Sequence, residues 1–368
     1  MFRTSRSLEE CTRPWRITLS ALPLLALLLY LIIPLPTVPA LAQEEANGDY
    51  YTIKYDQHGN KLWHATYEGD EWDYAYGVAV DSAGNVIVTG ASEIWHVYHE
   101  DGEAVGTGNA TTTVFNLKHL PITAESEKIY LDGVETTDYE IDYASGAVTF
   151  TAAPGEGVVI TADYDYEALN YDYYTIKYDS NGNKLWELAY DAGGRDEAFA
   201  VAVDSYGNII VGGRASEDFC LIKYSPEGNQ LWPQPVVYDS GAEDSINSMA
   251  VDSADNIIVT GYSKIWHDYD QDGQKDDGET NLDYYTVKYD RDGNKLWSKA
   301  YDQGHNDGAL EVVVDSASNV IVTGGCGRWH DDDQDGKEDE GEVDSDYCTI
   351  KYDQHGNQVW DEPLFYDS

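Results

Sequence analysis

The sequence has little positive charge. Only 22 lysines and arginines stand against 68 aspartates and glutamates, and the formal net charge at pH 7 is −46. Such an excess of carboxylates repels the phosphates of nucleic acids and the anionic surface of membranes, so we expect no nucleic-acid partner. The same excess favours cations, which makes metal binding a hypothesis to test along the chain.

Long hydrophobic runs are also missing, except for one near the N-terminus between residues 17 and 33. Arginines precede this run, and Ala-Leu-Ala at 40–42 provides a cleavage site of small residues. The pattern predicts that residues 1–42 are a signal peptide, and the length of the run leaves an uncleaved N-terminal anchor open as the alternative. In both cases we expect a secreted or cell-surface protein, with a membrane contact only through such an anchor.

Familiar catalytic motifs are absent as well. The chain contains no Gly-x-Ser-x-Gly, no His-Glu-x-x-His, no P-loop and no dinucleotide-binding fingerprint. Acidic residues are so abundant that choosing two of them as a glycosidase pair would be arbitrary. The sequence therefore favours a protein without catalytic activity.

What the sequence does contain is an internal repeat. Asp-Tyr-Tyr-Thr-Ile-Lys-Tyr-Asp at 49–56 returns at 172–179 and, nearly unchanged, at 283–290, and looser copies begin at Asp218 and Asp346. Each copy leads into a turn and then a tryptophan; these are Trp63, Trp186, Trp232, Trp297 and Trp360. The shortest interval, from Trp186 to Trp232, is 46 residues. A period of about 40–50 residues with four short strands is typical of a β-propeller blade.

Four strands are evident within one repeat. Alternating β-branched and aromatic residues, bounded by Gly, Asn and Asp, predict hairpins of 77–81 with 86–90 and of 50–55 with 62–67. The order of these segments gives a half unit, made of a third and a fourth strand, followed by four complete units. We therefore expect an all-β fold, a β-propeller of four-stranded blades, in which the repeated tryptophans on the fourth strands pack one blade on the next.

The motifs Asp-x-x-Gly-Asn-x-Leu-Trp and Val-Asp-Ser-x-Gly-Asn-Val-Ile-Val-Thr-Gly resemble the bacterial β-propeller repeats often called SBBP, over roughly 49–90 and 172–366. The resemblance implies a secreted or surface propeller and says little about activity. Propellers commonly have more blades than the units counted here. Either the chain is truncated, or it closes a ring of few blades, or self-association completes the ring.

Two connections between second and third strands carry acidic loops, each after a Trp-His pair whose histidine we expect to pack at the base of the loop. In both 268–279 and 331–342, carboxylates fall at positions 1, 3, 5, 9 and 12, with Gly at position 6. This is the spacing of the calcium loop of EF-hands, here without the flanking helices. We predict two calcium (Ca²⁺) sites, whose ligands are Asp268, Asp270, Asp272, Asp276 and Glu279 in the first, and Asp331, Asp333, Asp335, Asp339 and Glu342 in the second.

The first expanded connection lacks this pattern and contains an insertion instead. Five segments with strand-like alternation, separated by turn sequences, lie at 114–117, 128–131, 139–142, 147–150 and 158–162. We expect a small inserted module at 111–168, similar to a β-sandwich or a small barrel, which divides the propeller into 43–110 and 169–368. Such an insertion either serves recognition or is a passive decoration.

Three cysteines follow the expected signal peptide. Cys326 lies just beyond a second strand and Cys348 lies early in the next strand, so a disulfide between these neighbouring antiparallel strands is plausible in an oxidising compartment. Cys220 occupies the same repeat position as Cys348 but has no cysteine in its own short connection. We expect it to be a buried free thiol.

Together these patterns favour a calcium-stabilised propeller that acts outside the cytoplasm as a binding or adhesion module. Its expected ligand is an extracellular protein or carbohydrate, whose identity the sequence does not give. Two alternatives stay open. The turns that precede the tryptophans also resemble quinoprotein repeats, which would suit a quinoprotein-like or carbohydrate-active enzyme, and an incomplete ring would suit a component of a surface assembly.

Overall fold

The computed structural model describes residues 2–4, 48–69, 71–268, 273–274, 280–329 and 343–366. Within these ranges the regular structure is β-strand alone, and every strand pairing is antiparallel. The strands are β1 (Phe2–Thr4), β2 (Tyr50–Tyr55), β3 (Lys61–Tyr67), β4 (Asp73–Val80), β5 (Val86–Thr107), β6 (Val114–Asn116), β7 (Lys128–Leu131), β8 (Val134–Thr136), β9 (Tyr139–Asp142), β10 (Ala147–Phe150), β11 (Val159–Tyr178), β12 (Lys184–Tyr190), β13 (Glu197–Val203), β14 (Ile209–Ala215), β15 (Asp218–Tyr224), β16 (Val236–Tyr238), β17 (Asp244–Val251), β18 (Ile257–Trp266), β19 (Thr280–Tyr289), β20 (Lys295–Tyr301), β21 (Asp307–Val314), β22 (Val320–Trp329), β23 (Val343–Tyr352) and β24 (Leu364–Tyr366).

The strands form a repeated sheet. Three sheets have the order β13-β14-β15-β16, β17-β18-β19-β20 and β21-β22-β23-β24. The same order recurs in a larger sheet, where β4 pairs with β5, β5 with β11, and β11 with β12. Ahead of these four units lies the hairpin of β2 and β3. The protein is therefore an all-β repeat protein, as the sequence predicts.

The repeated Asp-x-x-Gly-Asn motif closes the hairpins. At Asp179, one carboxylate oxygen accepts the N–H groups of Asn181 at 2.8 Å and Asn183 at 2.9 Å, and the other accepts the amide of Asn183 at 2.8 Å. Gly182 has a φ of 91°, which glycine adopts without steric cost. Equivalent turns begin at Asp56, Asp81, Asp204, Asp252, Asp290, Asp315 and Asp353. The motif thus specifies a tight turn through contacts within five consecutive residues.

Consecutive units pack through the repeated tryptophan. Trp63 Nε1 donates a hydrogen bond to the carbonyl oxygen of Ser180, in the turn of the next unit, at 3.1 Å. The same bond joins Trp186 to Pro226 and Trp297 to Gln354, at 3.0 and 3.2 Å. The predicted packing of one unit on the next through tryptophan is confirmed for these three residues.

The prediction that every tryptophan lies on a fourth strand is wrong for two units. There the fourth strands are β16 and β24, which begin after Trp232 and Trp360. Prolines at 233, 235 and 363 separate the tryptophan from the strand. Proline has no N–H to donate to a ladder, so the pairing starts later.

A lysine is repeated on the third strand of each unit and is buried in three of them, at Lys177, Lys223 and Lys288. Lys288 Nζ lies 2.8 Å from Asp252 Oδ2, and the two side chains are 3% and 2% exposed. Equivalent ion pairs join Lys177 to Asp81, Lys223 to Asp204, and Lys351 to Asp315. Each pair ties the third strand to the turn between the first and second strands of its own unit.

The hydrophobic core lies between the sheets. One buried cluster combines Ile210 and Leu221 from one unit with Val259 and Val287 from the next. The first strands contact one another in series, β4 with β13, β13 with β17, and β17 with β21. The repeat therefore buries its apolar residues only when units stack, which is typical of repeat architectures.

The insertion grows out of the sheet. β5 and β11 are 22 and 20 residues long, far longer than the predicted strands, because the two ends of the insertion continue to pair with each other. β7 and β8 extend this sheet, and β6, β10 and β9 form a second one. The three-residue strand β8 was not predicted. The two layers enclose a core that includes Ile129, Val148, Phe150, Ile160 and Tyr164.

Cys326 and Cys348 form the disulfide that the sequence made plausible, with α-carbons 5.9 Å apart. Cys220 is free and fully buried, as predicted, and burial raises the pKa of its thiol to about 12. Its sulfur is therefore protonated at neutral pH and acts as a packing group.

Of the expected signal peptide, the structure describes only residues 2–4, which form β1 and pair with β2. The apolar run at 17–33 lies outside the described residues. Among the residues that are described, no helix has the length and apolar character needed to cross a membrane.

Candidate metal sites at the insertion end

Each sheet has two chemically different ends. Because the strands are antiparallel and follow chain order, the Asp-x-x-Gly-Asn turns lie at one end. The connections between second and third strands, and from one unit to the next, lie at the other. We call the latter the insertion end, since the inserted module and the strand ends that flank both predicted calcium loops are there.

Most predicted calcium ligands fall outside the described residues. These are Asp270, Asp272, Asp276 and Glu279 of the first loop, and Asp331, Asp333, Asp335, Asp339 and Glu342 of the second. Asp268 is described, and its Oδ2 accepts the N–H of Gly273 at 3.1 Å. Position 1 of the loop therefore lies against position 6. The other oxygen, Oδ1, is buried and has no hydrogen-bond partner within the part of the chain that the structure describes.

A histidine and two aspartates meet at the base of this loop. His267 Nε2 lies 3.0 Å from Asp283 Oδ2, and His267 Nδ1 lies 3.5 Å from Asp302 Oδ2. The side chain of Asp283 is 1% exposed, whereas those of His267 and Asp302 are 22% and 24% exposed. We call these three residues the His267 cluster.

The same arrangement recurs in the unit that carries the inserted module. His96 Nε2 lies 3.0 Å from Asp172 Oδ1, and His96 Nδ1 lies 3.4 Å from Asp191 Oδ2. Again the first aspartate is buried, with 3% of its side chain exposed. In this His96 cluster, as in the other, one donor atom from each of the three residues lies within 4.8 Å of the others.

A third cluster lies at the equivalent place in the short unit. Asp218, Asp239 and Asp244 bring carboxylate oxygens within 4.8 Å of one another. Its connection between β14 and β15 is only two residues long and provides no histidine. The aspartates therefore belong to the repeat, and the histidines come with the expanded connections.

Burial governs the protonation of the aspartates at this end. It raises the pKa of Asp172 to about 6 and of Asp283 to about 6, with the neighbouring histidines pulling in the opposite direction. Burial also raises the pKa of Asp307 to about 7, although this carboxylate accepts N–H groups of Gln303 and Gly327 at 2.7 and 2.9 Å. A cation at this end would offset the cost of burying such charges.

Sequence reasoning placed the histidines at the base of the loops and did not find their aspartate partners. The signal was present, because Asp172 and Asp283 are the first residues of the Asp-Tyr-Tyr copies. His96 and Asp172 are 76 residues apart, but His267 and Asp283 only 16, so no fixed spacing connects them.

An aromatic row begins directly before β4, the first strand of the first complete unit, and continues along it. The rings of Trp72 and Tyr74 are 6.2 Å apart and 11° from parallel, and those of Tyr74 and Tyr76 are 6.1 Å apart and 5° from parallel. Trp72 is 40% exposed. Beside the row, Arg195 lies over the ring of Tyr171 at 4.8 Å. The same guanidinium contacts Glu197, which also binds Arg214.

Comparison with known proteins gives a distant relative. An uncharacterized WD repeat-containing protein of Acanthamoeba polyphaga mimivirus is 28% identical over 199 residues, which covers 49% of this chain. The match spans only 13% of that protein's length. No protein-family profile matches the chain.

Solved structures give only weak likenesses. A protein of unknown function from Bacteroides caccae covers 87% of this chain and 90% of its own, at 12% identity and a TM-score of 0.30. A mutant of the apocarotenoid oxygenase of Synechocystis covers 74% of this chain and 70% of its own, at 9% identity and a TM-score of 0.31. Scores this low carry no argument about fold or function.

Proposed function

We propose that this chain is a β-propeller of the SBBP type that acts outside the cytoplasm as a calcium-stabilised, non-enzymatic binding module. The observation that carries the proposal is that units of one strand order stack on each other and turn all their variable connections toward one end. Rigid repeats with variable connections on one surface are the usual arrangement of binding repeat proteins. The distant relative that carries WD repeats in its name is consistent with a propeller.

The stacking contacts are of the kind that a propeller requires. The first strands β4, β13, β17 and β21 contact one another in sequence, as strands around a common axis do. The wide indole rings of Trp63, Trp186 and Trp297 lie on fourth strands, where they would keep the outer edges of the blades apart. Self-association that completes the ring is part of this proposal.

Calcium would stabilise the acidic loops. One carboxylate oxygen of Asp268 accepts the backbone N–H of Gly273, and the other is buried with no hydrogen-bond partner among the described residues, which suits a hard cation in the loop. The affinity expected for such an extracellular loop is weak, about 10⁻⁴–10⁻³ M. Loop 331–342 lies between the two disulfide-bonded cysteines, so the disulfide would restrict it further.

The exposed aromatic residues support binding as the role. Trp72, Trp95 and Trp266 are 40%, 45% and 41% exposed, although tryptophan is usually much more buried. Flat aromatic faces suit the apolar faces of a carbohydrate or of a protein surface. The neighbouring arginine and glutamate residues suit the hydroxyl or amide groups of the same ligand. We take one of these two as the extracellular ligand.

Calcium titration calorimetry on the full chain tests the metal part, together with thermal melts in calcium and in chelator. We expect two sites and a higher melting temperature in calcium. Asp268→Asn should remove one site, whereas Asp292→Asn, on a turn at the opposite end and 73% exposed, should leave both. An absence of heat and of any shift would reduce the loops to acidic linkers.

Glycan and extracellular-matrix arrays test the binding part. Binding that Trp72→Ala and Tyr74→Ala abolish would assign the aromatic row as the contact surface. Turnover of a bound glycan, or the absorbance of a bound quinone, would favour the enzyme alternative. A particle mass that rises with protein concentration, without any ligand, would favour a surface assembly.

A further inference from the structure

In the His96 and His267 clusters, both nitrogens of the imidazole ring lie close to carboxylate oxygens. A neutral imidazole has one N–H and one lone pair. In both clusters, however, the two ring nitrogens each face a carboxylate oxygen, at 3.0 and 3.4 Å around His96 and at 3.0 and 3.5 Å around His267. A lone pair and a carboxylate repel each other, and a metal ion bound between a ring nitrogen and the carboxylates would relieve this repulsion.

We propose that the His96 and His267 clusters are two binding sites for a divalent transition-metal ion of the zinc class, each held by one imidazole nitrogen and two aspartates. Imidazole combined with carboxylate is a common ligand set for Zn²⁺. Ligand atoms at about 2.0–2.2 Å from one zinc ion lie roughly 3–4 Å from each other. Donor atoms within 4.8 Å are wider apart than this shell, so the side chains would have to close around the ion.

The surroundings favour a metal ion. Asp172 and Asp283 are 2% and 0% exposed, yet within the described parts of the chain neither forms an ion pair with lysine or arginine. A buried carboxylate without a cationic partner is costly. The second carboxylate of each cluster adds repulsion, which a divalent ion removes more completely than one proton does.

The arrangement of a cluster does not require a calcium loop beside it. The connection after His96 has no calcium-loop pattern and leads into the inserted module, whereas the connection after His267 is the loop 268–279. Two unrelated connections therefore place a histidine on the same pair of repeat aspartates. Calcium prefers six to eight oxygen ligands, so a site with an imidazole nitrogen is a different kind of metal site.

The position of the clusters indicates a structural role for the metal ion, because its ligands lie on three different segments of the chain. His96 lies on the second strand, Asp172 on the third, and Asp191 on the connection to the next unit, directly after β12. An ion bound there would fasten the expanded connection to the link between two units. This role does not depend on the ligand that the module recognises.

The test is zinc stoichiometry of the full chain, measured by equilibrium dialysis against ZnCl₂ in saturating calcium, which occupies any oxygen-only site. We expect two zinc ions per chain. His96→Gln should retain one, and the double variant with His267→Gln none. His58→Gln, a histidine in an exposed turn at the opposite end, should retain two.

Cobalt provides a second readout. Co²⁺ in place of Zn²⁺ should give visible ligand-field bands that lose about half their intensity in His96→Gln and are absent from the double variant. If His96→Gln does not fold, Asp191→Asn, whose side chain is 39% exposed, gives the same stoichiometric test. Wild-type protein that binds no zinc, or a double variant that still binds two ions, would overturn the proposal and leave the clusters as histidines hydrogen-bonded to buried carboxylates.

Discussion

The indole of Trp63 lies so close to Gly182 of the next unit that a β-carbon on Gly182 would stand 2.8 Å from Trp63 Cδ2. The same relationship joins Trp297 to Gly356, at 2.9 Å, and at longer distances Trp186 to Gly228 and Trp232 to Gly293. The glycine of the repeated motif therefore serves two purposes. It permits the left-handed backbone of the turn, and it lets the preceding unit pack its tryptophan on that turn.

Gly182→Ala should destabilise the protein by about 2–4 kcal/mol, because left-handed backbone strain and a clash with Trp63 add together. Gly193→Ala is the matched control. Its φ is 93° but nothing lies within 4 Å of an added β-carbon, so only the strain of about 1–2 kcal/mol remains. Chemical denaturation of both variants measures the difference, and equal losses would contradict a role for the tryptophan contact.

Ser318 occupies the glycine position of its turn with a φ of 61°. Ser318→Gly should therefore stabilise the protein by about 1 kcal/mol, since glycine adopts this backbone without strain. The reciprocal change Gly84→Ser, at the equivalent position of the first complete unit with a φ of 80°, should destabilise it by a similar amount. Melting temperatures of the two variants should shift in opposite directions.

Lys288→Met should lower the free energy of unfolding by about 3–5 kcal/mol, because it leaves the carboxylate of Asp252 buried without the ammonium group of Lys288. Adding Asp252→Asn should recover part of the loss by removing that charge. The exposed pair of Lys184 and Glu187, whose side chains are 48% and 35% exposed, is the control, and Lys184→Met should change stability little. A double-mutant cycle measured by chemical denaturation separates the interaction energy of Lys288 and Asp252 from the effect of each single substitution.

Stability in chelator should fall as pH rises from about 4 to 7. Burial raises the pKa of Asp196 to about 6 and of Asp307 to about 7, whereas an unfolded aspartate titrates near 3.9. Their contribution is present in full below the unfolded pKa and is lost as pH rises through the folded pKa. Melts from pH 4.5 to 8 should show this slope, and Asp307→Asn should flatten it.

Below about pH 4 the dependence of stability on pH reverses its sign, so that stability falls as the pH falls. Hydrogen bonds in the turn lower the pKa of Asp179. Burial acts to raise the pKa of Asp252 and Asp290, but the turn hydrogen bonds, with that of Lys288 at Asp252, bring it below the usual value. Carboxylates of this kind stabilise the fold above the unfolded pKa and lose that contribution as pH falls through the folded pKa. We therefore expect a maximum of stability near pH 4–5, and a monotonic rise of melting temperature toward pH 8 would contradict it.

The sequence by itself determined the elements that depend on local chemistry. Alternating residues define the strands, Asp-x-x-Gly-Asn defines the turns, and the order of four strands follows from their repetition. The disulfide between Cys326 and Cys348 was foreseeable because adjacent antiparallel strands bring nearby positions together. In each of these cases the interacting groups are neighbours in the chain or on adjoining strands.

Only the tertiary structure decided which distant residues meet. Trp63 and Ser180 are 117 residues apart, and His96 and Asp172 are 76 apart across a complete inserted module. Sequence spacing does not predict such contacts, because the loops between the partners vary in length while the sheets that hold them do not. The sequence thus determined the repeating unit. The stacking of units decided where buried carboxylates meet histidine, and with that the sites where a metal ion is proposed to bind.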